Sequence, residues 1–515
     1  MIQREVREKL SGKNSNLIFG RTLKLLRVLD SGASLEIVIA SKGEDDFSYC
    51  ENMVRKWAES SAGNRINADK MTLKDFLFFL HVPRTGGRTY YSCFLKKLYA
   101  NTDECPRSYD KLHFDPRETN CRLLATHDDY SLMSKLPKDK TSMITILRNP
   151  IDRVFSTYEF SVEVAARFLV HPNLTSATQM TKKMKSRSRG VSTLDIWPWK
   201  YLVPWMREDL FTRRDARKHT EVRSIKGKQN PYDMHELVMP LHTFVDDPMA
   251  HEMIHNGATF QLAGLTNNSF LAEAPKIRRC VRRHPNLGHY VLEVAKGRLD
   301  HMLYIGLTED HKESATIFAN MVGSQVLSQS EALSSLGTNS FQDPEDGGEN
   351  QDQRSTGDNN LGEDAPSSDA ETTDENMTVE NLMEAYETCT STLRKSQSKR
   401  RTISLKKIAP AYFSKEARLQ VPQTVIQKIL LMNSLDVDLY KHAQQLFIEQ
   451  SKHLTQNGQP KSEPQNEYRL SEMETQGASY NLYMTGKVLS LISTTLFFVF
   501  IGVFVTRRRK SKIKV

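Results

Sequence analysis

The sequence predicts an α/β protein built on a parallel sheet, with a transmembrane helix at its C-terminal end. Three features predict it. Between residues 75 and 322, short unbroken apolar runs alternate with stretches of helical periodicity. Continuous apolar strands belong to sheets buried on both faces, and intervening helices imply parallel crossovers. A Gly-Gly loop separates the first run from a helix, the arrangement with which α/β proteins hold anions. Residues 488–505 (VLSLISTTLFFVFIGVFV) carry no charge and are followed at once by Arg507, Arg508, Arg509 and Lys510.

Before Lys70 the signals are few, and residues 17–39 offer only a short strand or helix. FLFFLHV at 76–82 reads as the first buried strand, 89–99 as a helix, and 123–126 and 143–147 (MITIL) as further strands. Pro150 suits a first helical turn and opens a long helix to about residue 170. LYIGL at 303–307 is a fourth strand, leading into a helix over 310–322. From 328 to 376 hardly any apolar residue remains among Gly, Ser, Asn, Asp and Glu, which predicts a disordered acidic insertion. Order resumes near Val379, and 422–450 reads as one amphipathic helix carrying Ile426, Ile429, Leu430, Leu435, Leu439, Leu446 and Phe447. The expected division is an unassigned segment (1–70), a core (71–327), the acidic insertion (328–378), the rest of the folded domain (379–452), a polar stalk (453–487), the span (488–505) and a basic tail (506–515).

The apolar run meets the lower limit of about 17 residues for a bilayer span, and the cations after it belong on the cytosolic side. That topology puts the preceding chain in a lumen, and sequons at Asn173, Asn267 and Asn376 agree with it. A lumenal protein begins with a cleavable signal, whereas MIQREVREKLSGKNSN is polar and charged. The expectation is that the N-terminus of this chain is incomplete; the alternative is a tail-anchored protein with its bulk in the cytosol.

The 515 residues suffice for one large domain with appendages, or for two domains. A hydrophobic fraction of 38 % and a mean hydropathy of −0.52 require a highly charged surface, an unfolded part, or both. The net charge of +9 is uneven: basic clusters at 182–189, 213–218, 278–283 and 394–407 contrast with an acidic stretch at 343–380. A basic folded part suits anionic ligands, although solvated lysines and arginines account for many such clusters. The clusters lack the interleaved aromatics that stack on bases, which argues against a nucleic-acid partner. Six cysteines form no CxxC or Cys/His metal spacing, so no metal is expected. Their even number fits disulfides, with 15 pairings open.

Two motifs carry chemistry. In the first, His81, Val82, Pro83, Arg84, Thr85, Gly86, Gly87, Arg88 and Thr89 lie between a buried strand and a helix. Glycines let backbone approach a ligand closely, amides at the helix start point at it, and the helix dipole favours negative charge. The threonines add hydroxyls and the arginines add cations. This is not a Walker A loop, because GxxxxGK[ST] is absent. In the second, Arg148 ends a strand, Asn149-Pro150 opens the next helix, and Arg153 and Ser156 lie on its first turns. Arg148 and Ser156 are placed to clamp a phosphate from two sides.

Together, P-[KR]-T-G-G after one strand and strand-R-[ND]-P with Ser eight residues past the Arg resemble the paired nucleotide sites of Golgi sulfotransferases. Gly306-Leu-Thr-Glu309 and residues 435–447 resemble late segments of the heparan sulfate 6-O-sulfotransferase group. Residues 127–132, 193–207 and 255–261, together with the C-terminal span, resemble the plant type of tyrosylprotein sulfotransferase. The resemblance covers about 75–322 and 379–450. It implies a P-loop-like fold dependent on 3′-phosphoadenosine-5′-phosphosulfate (PAPS) and transfer of a sulfuryl group to tyrosine hydroxyls of acidic secreted peptides. It also implies Golgi residence, the first motif at the 5′-phosphosulfate and the second at the 3′-phosphate. A further nucleotide contact falls on Lys415 or Arg418. The chain departs from the pattern in having Arg84 where many sulfotransferases have Lys, so a fixed cation replaces a proton donor. Arg88 stands where Thr is more usual.

His127 follows the strand 123–126 and matches the base position of the 6-O group; an imidazole suits deprotonation of a phenol. The plainer reading is a strand cap paired with Asp128 or Asp129. His81, His113 and His255 are weaker candidates. Arg84 is the expected catalytic cation. Trp197, Trp199 and Lys200, with Trp205 and Arg207 nearby, either grip the substrate or belong to the core. A glycan sulfotransferase and a membrane-anchored binding protein without catalysis are the rival functions.

Overall fold

Among the described residues, four all-buried strands make the central sheet: β1 (Phe76–Leu80), β2 (Leu123–Thr126), β3 (Thr141–Leu147) and β4 (Tyr304–Leu307). They form one parallel sheet in the order β2-β1-β3-β4, with Leu80 opposite both Thr126 and Thr145 and Leu147 opposite Leu307. This computed structural model describes residues 35–62, 70–100, 102–105, 112–113, 121–187, 194–218, 230–337, 377–408 and 412–456. The chain divides into a unit over 1–451 and a second over 452–515, of which only 452–456 are described.

The predicted strands are all present, so a mixed α/β fold with a parallel sheet holds. The reason is physical: a strand covered on both faces has no polar side and is unmistakable in sequence. The helix after β1 starts at Gly87, two residues earlier than expected. It runs as α-helix (Gly87–Tyr90), a π turn (Tyr91–Leu95) and α-helix again (Lys96–Leu98). Asn149 caps the helix Pro150–Arg167 by accepting from the Ile151 amide at 3.0 Å, and Pro150 occupies its first turn. Val154, Phe155, Tyr158 and Val162 on this helix pack with Trp199, Leu202, Val203 and Met206 of the helix Trp199–Lys218 to form a second core.

Three expectations are corrected. Residues Leu35–Ala62 form a 28-residue helix, where only a short element was expected nearby. It buries Cys50, Val54 and Trp57. The helix Ser324–Gly337 runs ten residues into the stretch expected to be disordered from 328. The single helix expected over 422–450 is two, Gln423–Met432 and Ser434–Gln456. Asn433 makes the break: its amide side chain donates to the Ile429 carbonyl at 2.8 Å while its Oδ1 accepts from the Asn256 amide at 3.2 Å. Asn256 returns the contact, its Oδ1 accepting from the Leu435 and Asp436 amides at 2.9 and 3.2 Å.

All six cysteines are paired, as Cys50–Cys280, Cys93–Cys389 and Cys105–Cys121. Cys93–Cys389 joins the helix behind the Gly-Gly loop to the helix Val379–Leu405. Asp46, Cys50 and His284 come together, but the sulfur is committed to Cys280 and Asp46 bonds Arg283 and His284. Among the described residues no helix is long and apolar enough to cross a membrane. The expected span at 488–505, the stalk beyond 456, residues 338–376 of the insertion, and Asn376 lie outside the described residues.

Candidate active site

Every strand delivers residues to one edge of the sheet. His81 follows β1, His127 follows β2, Arg148 follows β3, and Thr308 and Glu309 follow β4. The carboxyl edge of a parallel sheet is where open α/β folds bind ligands, most of all where the strand order switches direction. Here β1 lies between β2 and β3, so the chain leaves it in opposite directions and the loops after β1 and β3 open beside each other.

The loop after β1 is built around two left-handed residues, Arg84 (φ 68°) and Gly86 (φ 82°). Gly86 meets the conformation at little cost, whereas Arg84 is strained by it. Gly87 is small for a different reason: a Cβ there would fall within 2.9 Å of three atoms of the His81 ring. The loop is tied down by Thr85 Oγ1 donating to the Val82 carbonyl at 2.8 Å and by Thr308 Oγ1 donating to the Thr85 carbonyl at 2.7 Å. Val82, Pro83 and Thr85 are buried, Arg88 and Thr89 half-buried. The Thr89 amide donates inward to Gly86 at 2.9 Å, so it is withdrawn from the expected cradle. The Gly86 amide has no acceptor among the described residues.

The two motifs meet. Arg84 Nε donates to Ser156 Oγ at 3.0 Å, and Arg148 Nη1 donates to the Arg84 carbonyl at 3.3 Å. The Arg84 guanidinium also lies 4.2 Å from the centre of the Phe160 ring. Burial, then repulsion from Arg148, pulls the Arg84 pKa down to about 10, so the group remains a cation at neutral pH. Burial lowers Arg148 as well. Arg148 Nε is buried without a hydrogen bond, 3.8 Å from Glu309 Oε1. Glu309 is held by the Asn149 amide at 3.1 Å and the Tyr440 hydroxyl at 2.7 Å.

Of the two candidates for the later basic contact, Arg418 is the one in this neighbourhood. It pairs with Asp152 at 2.7 Å and Glu159 at 2.7 Å, whereas Lys415 is exposed. Burial is the largest single influence and opposes its charge, but Glu159 and Tyr232 together outweigh it and raise its pKa. Glu159 also holds Arg401 at 2.8 Å and the Tyr232 hydroxyl at 2.6 Å.

The His127 ring is buried, tilted against the His81 ring with centroids 4.3 Å apart. Its Nδ1 lies 3.2 Å from the His81 carbonyl oxygen. A carbonyl only accepts, so Nδ1 carries the proton and Nε2 is the basic nitrogen. Burial first, with Arg88 adding to it, depresses His127 to about 4, which keeps the ring neutral at pH 7. The two aspartates that follow direct their oxygens elsewhere. Asp128 accepts from Thr126 Oγ1, the His113 amide and Asn268; Asp129 accepts from Ser131 and Thr266.

The other candidates lie apart from this cluster. His113 bonds Asn268, and His255 bonds the Val245 carbonyl at 3.0 Å. Trp197 and Trp199 are 2 % and 4 % exposed. Trp199 packs edge-on against Phe160 at 4.9 Å and belongs to the second core, behind the ring that carries Arg84. Lys200 is exposed and lies over Tyr201. Asn173 and Asn267 are both exposed, although Asn267 accepts from Arg278. Sequence reasoning missed Thr308 and Glu309, which the fold brings beside these motifs, and Gln261, whose side chain reaches the His81 and His127 carbonyls. For the first two a signal existed, because they stand directly after a buried strand.

No family model matches the chain. Over 491 residues, covering 93 % of this chain and 97 % of the relative, it is 54 % identical to a protein named protein-tyrosine sulfotransferase from Arabidopsis thaliana. With that identity over nearly the whole length, the chain belongs to the plant-type tyrosylprotein sulfotransferase family and is an enzyme.

Proposed function

We propose that this enzyme transfers the sulfuryl group of PAPS to tyrosine hydroxyls of acidic secreted peptides. The observation that carries the nucleotide assignment is the meeting of Arg84, Arg148 and Ser156, in which two guanidinium groups disfavour each other until an anion arrives. A doubly charged phosphate ester relieves that repulsion and gives the buried Arg148 Nε an acceptor. The loop over 81–89 holds the 5′-phosphosulfate; Arg148 and Ser156, with Arg418 behind them, hold the 3′-phosphate. Binding of both ends aligns the sulfur for in-line attack.

His127 Nε2 takes the phenol proton as the tyrosine oxygen attacks sulfur. The sulfur–oxygen bond to the 5′-phosphate breaks, and Arg84 and the loop amides balance the charge that grows on the leaving oxygen. Arg84 keeps its own proton throughout. The depressed imidazole is a weak base in the empty site, and the nucleotide's negative charge raises its basicity where it is needed. Three disulfides and two exposed sequons support a lumenal, Golgi location for the catalytic part, anchored by the span over 488–505.

The test is incubation with labelled PAPS and an acidic tyrosine peptide, with a heparan acceptor as control. His127→Ala is expected to lower kcat roughly 100- to 10,000-fold. Arg148→Ala is expected to weaken adenosine 3′,5′-bisphosphate binding roughly 10- to 100-fold by calorimetry. Undiminished transfer by both variants refutes the site assignment, and transfer to heparan alone refutes the acceptor.

A further inference from the structure

Gln261 is 1 % exposed on the short helix Gly257–Leu262, and its side chain reaches the ends of two strands at once. Its Nε2 lies within hydrogen-bond distance of the carbonyls of His81 at 3.2 Å, His127 at 3.2 Å and Asp128 at 3.0 Å, its two N–H groups shared among the three. Three carbonyls can only accept, so the amide's nitrogen faces them and its orientation is fixed by the network. The helix that carries it is itself anchored. Asp436 accepts from the Ala258 and Thr259 amides at 3.3 and 2.8 Å, and the same carboxylate binds the buried Arg153 at 2.7 Å.

This arrangement carries a cost. Gln261 Oε1 is buried with no hydrogen-bond partner, and an orphaned buried acceptor destabilises a fold. A methionine fills the same space without that cost. What the amide adds is a link between the residue that precedes the Gly-Gly loop and the residue that carries the base. The His81 carbonyl accepts from Gln261 Nε2 and from His127 Nδ1, both at 3.2 Å, so the same oxygen that Gln261 holds in place selects the His127 tautomer.

We propose that Gln261 is a positioning residue for sulfuryl transfer, orienting His127 through the shared His81 carbonyl so that Nε2 is the nitrogen presented to the acceptor hydroxyl. The inference rests on His127 being the base, as assigned above. The test is a double-mutant cycle in the full-length chain, comparing wild type, Gln261→Met, His127→Ala and the double variant, with kcat, KM for the peptide and calorimetric affinity for adenosine 3′,5′-bisphosphate measured for each. In the wild-type background Gln261→Met is expected to lower kcat roughly 10- to 100-fold, with nucleotide affinity and peptide KM changed less than about twofold. In the His127→Ala background it is expected to lower kcat by less than about twofold, because the group it positions is gone.

An unchanged kcat in Gln261→Met, or an equal fall in both backgrounds, overturns the proposal; the second outcome marks a structural role only. Loss of nucleotide affinity in step with kcat overturns it too. Should Gln261→Met not fold, Gln261→Asn keeps the amide but retracts it by one methylene, and the same cycle applies with the same outcomes. Full activity of His127→Ala alone refutes the base assignment, and with it this inference, independently of how Gln261→Met behaves.

Discussion

Glycines 86 and 87 are adjacent in sequence and answer to different constraints, and the difference is measurable. Gly86 is needed for its backbone angle, since a Cβ there would meet only the Thr308 methyl at an ordinary contact distance of 3.8 Å; Gly87 is needed because the His81 ring occupies the position of a Cβ. Gly86→Ala is expected to cost about 1 kcal/mol of strain. Gly87→Ala is expected to displace His81 and the His127 ring tilted against it, lowering kcat more than thermal stability. A melt and an activity assay on the two variants separate the effects; equal losses of kcat in both contradict this reading. The titration of His127 gives a second prediction at this scale. Burial favours the neutral ring, so the base form persists as pH falls and is lost only through about pH 4 in the empty site. The acid limb of kcat/KM, which reports the free enzyme, is therefore expected well below the ordinary histidine value near 6.5. The limb of kcat, measured with nucleotide bound, is expected at higher pH. A kcat/KM break at 6.5 means the ring is hydrated.

At the scale of elements, sequence was most informative where burial is symmetrical and least where a side chain reaches across the fold. All four strands were legible because their residues face packed layers on both sides. The two motifs that meet through Arg84, Arg148 and Ser156 were legible in the sequence because each is local to one turn. The break at Asn433 was not, since apolar periodicity runs through it and the interruption comes from an exchange of hydrogen bonds with Asn256, 177 residues away in the chain. That Arg418 lies near Arg148 was likewise invisible, because Glu159 and Asp152, remote in sequence, hold it there. Trp199 was ambiguous because an aromatic reads the same in a core and in a binding surface. The Arg153–Asp436 pair is a deeply buried long-range tie, joining the Pro150–Arg167 helix to Ser434–Gln456 with both side chains almost fully buried. Asp436→Ala leaves a buried guanidinium uncompensated and unpins the helix bearing Gln261. It is expected to lower stability by about 3–5 kcal/mol, read as a fall in the denaturation midpoint. A loss below about 1 kcal/mol contradicts the burial.

For the whole molecule, the disulfides connect parts that are remote in sequence. Cys50–Cys280 and Cys93–Cys389 span 230 and 296 residues, and Cys105–Cys121 spans 16. Long closures restrict the unfolded chain most in the loop-entropy account, so a Cys93→Ala/Cys389→Ala double variant is expected to lose about 2–5 kcal/mol, more than a Cys105→Ala/Cys121→Ala variant. Denaturant titration of the two variants ranks them, and the reverse order contradicts that account here.

Cys93–Cys389 has a further consequence, because its two ends stand on either side of the acidic stretch at 343–380. A protease that cuts once within that stretch produces two polypeptides that stay covalently one. The nicked enzyme is expected to migrate as intact chain on a non-reducing gel and to separate into a larger and a smaller fragment only after thiol is added. Fragments that part without thiol would show that the bridge is not formed.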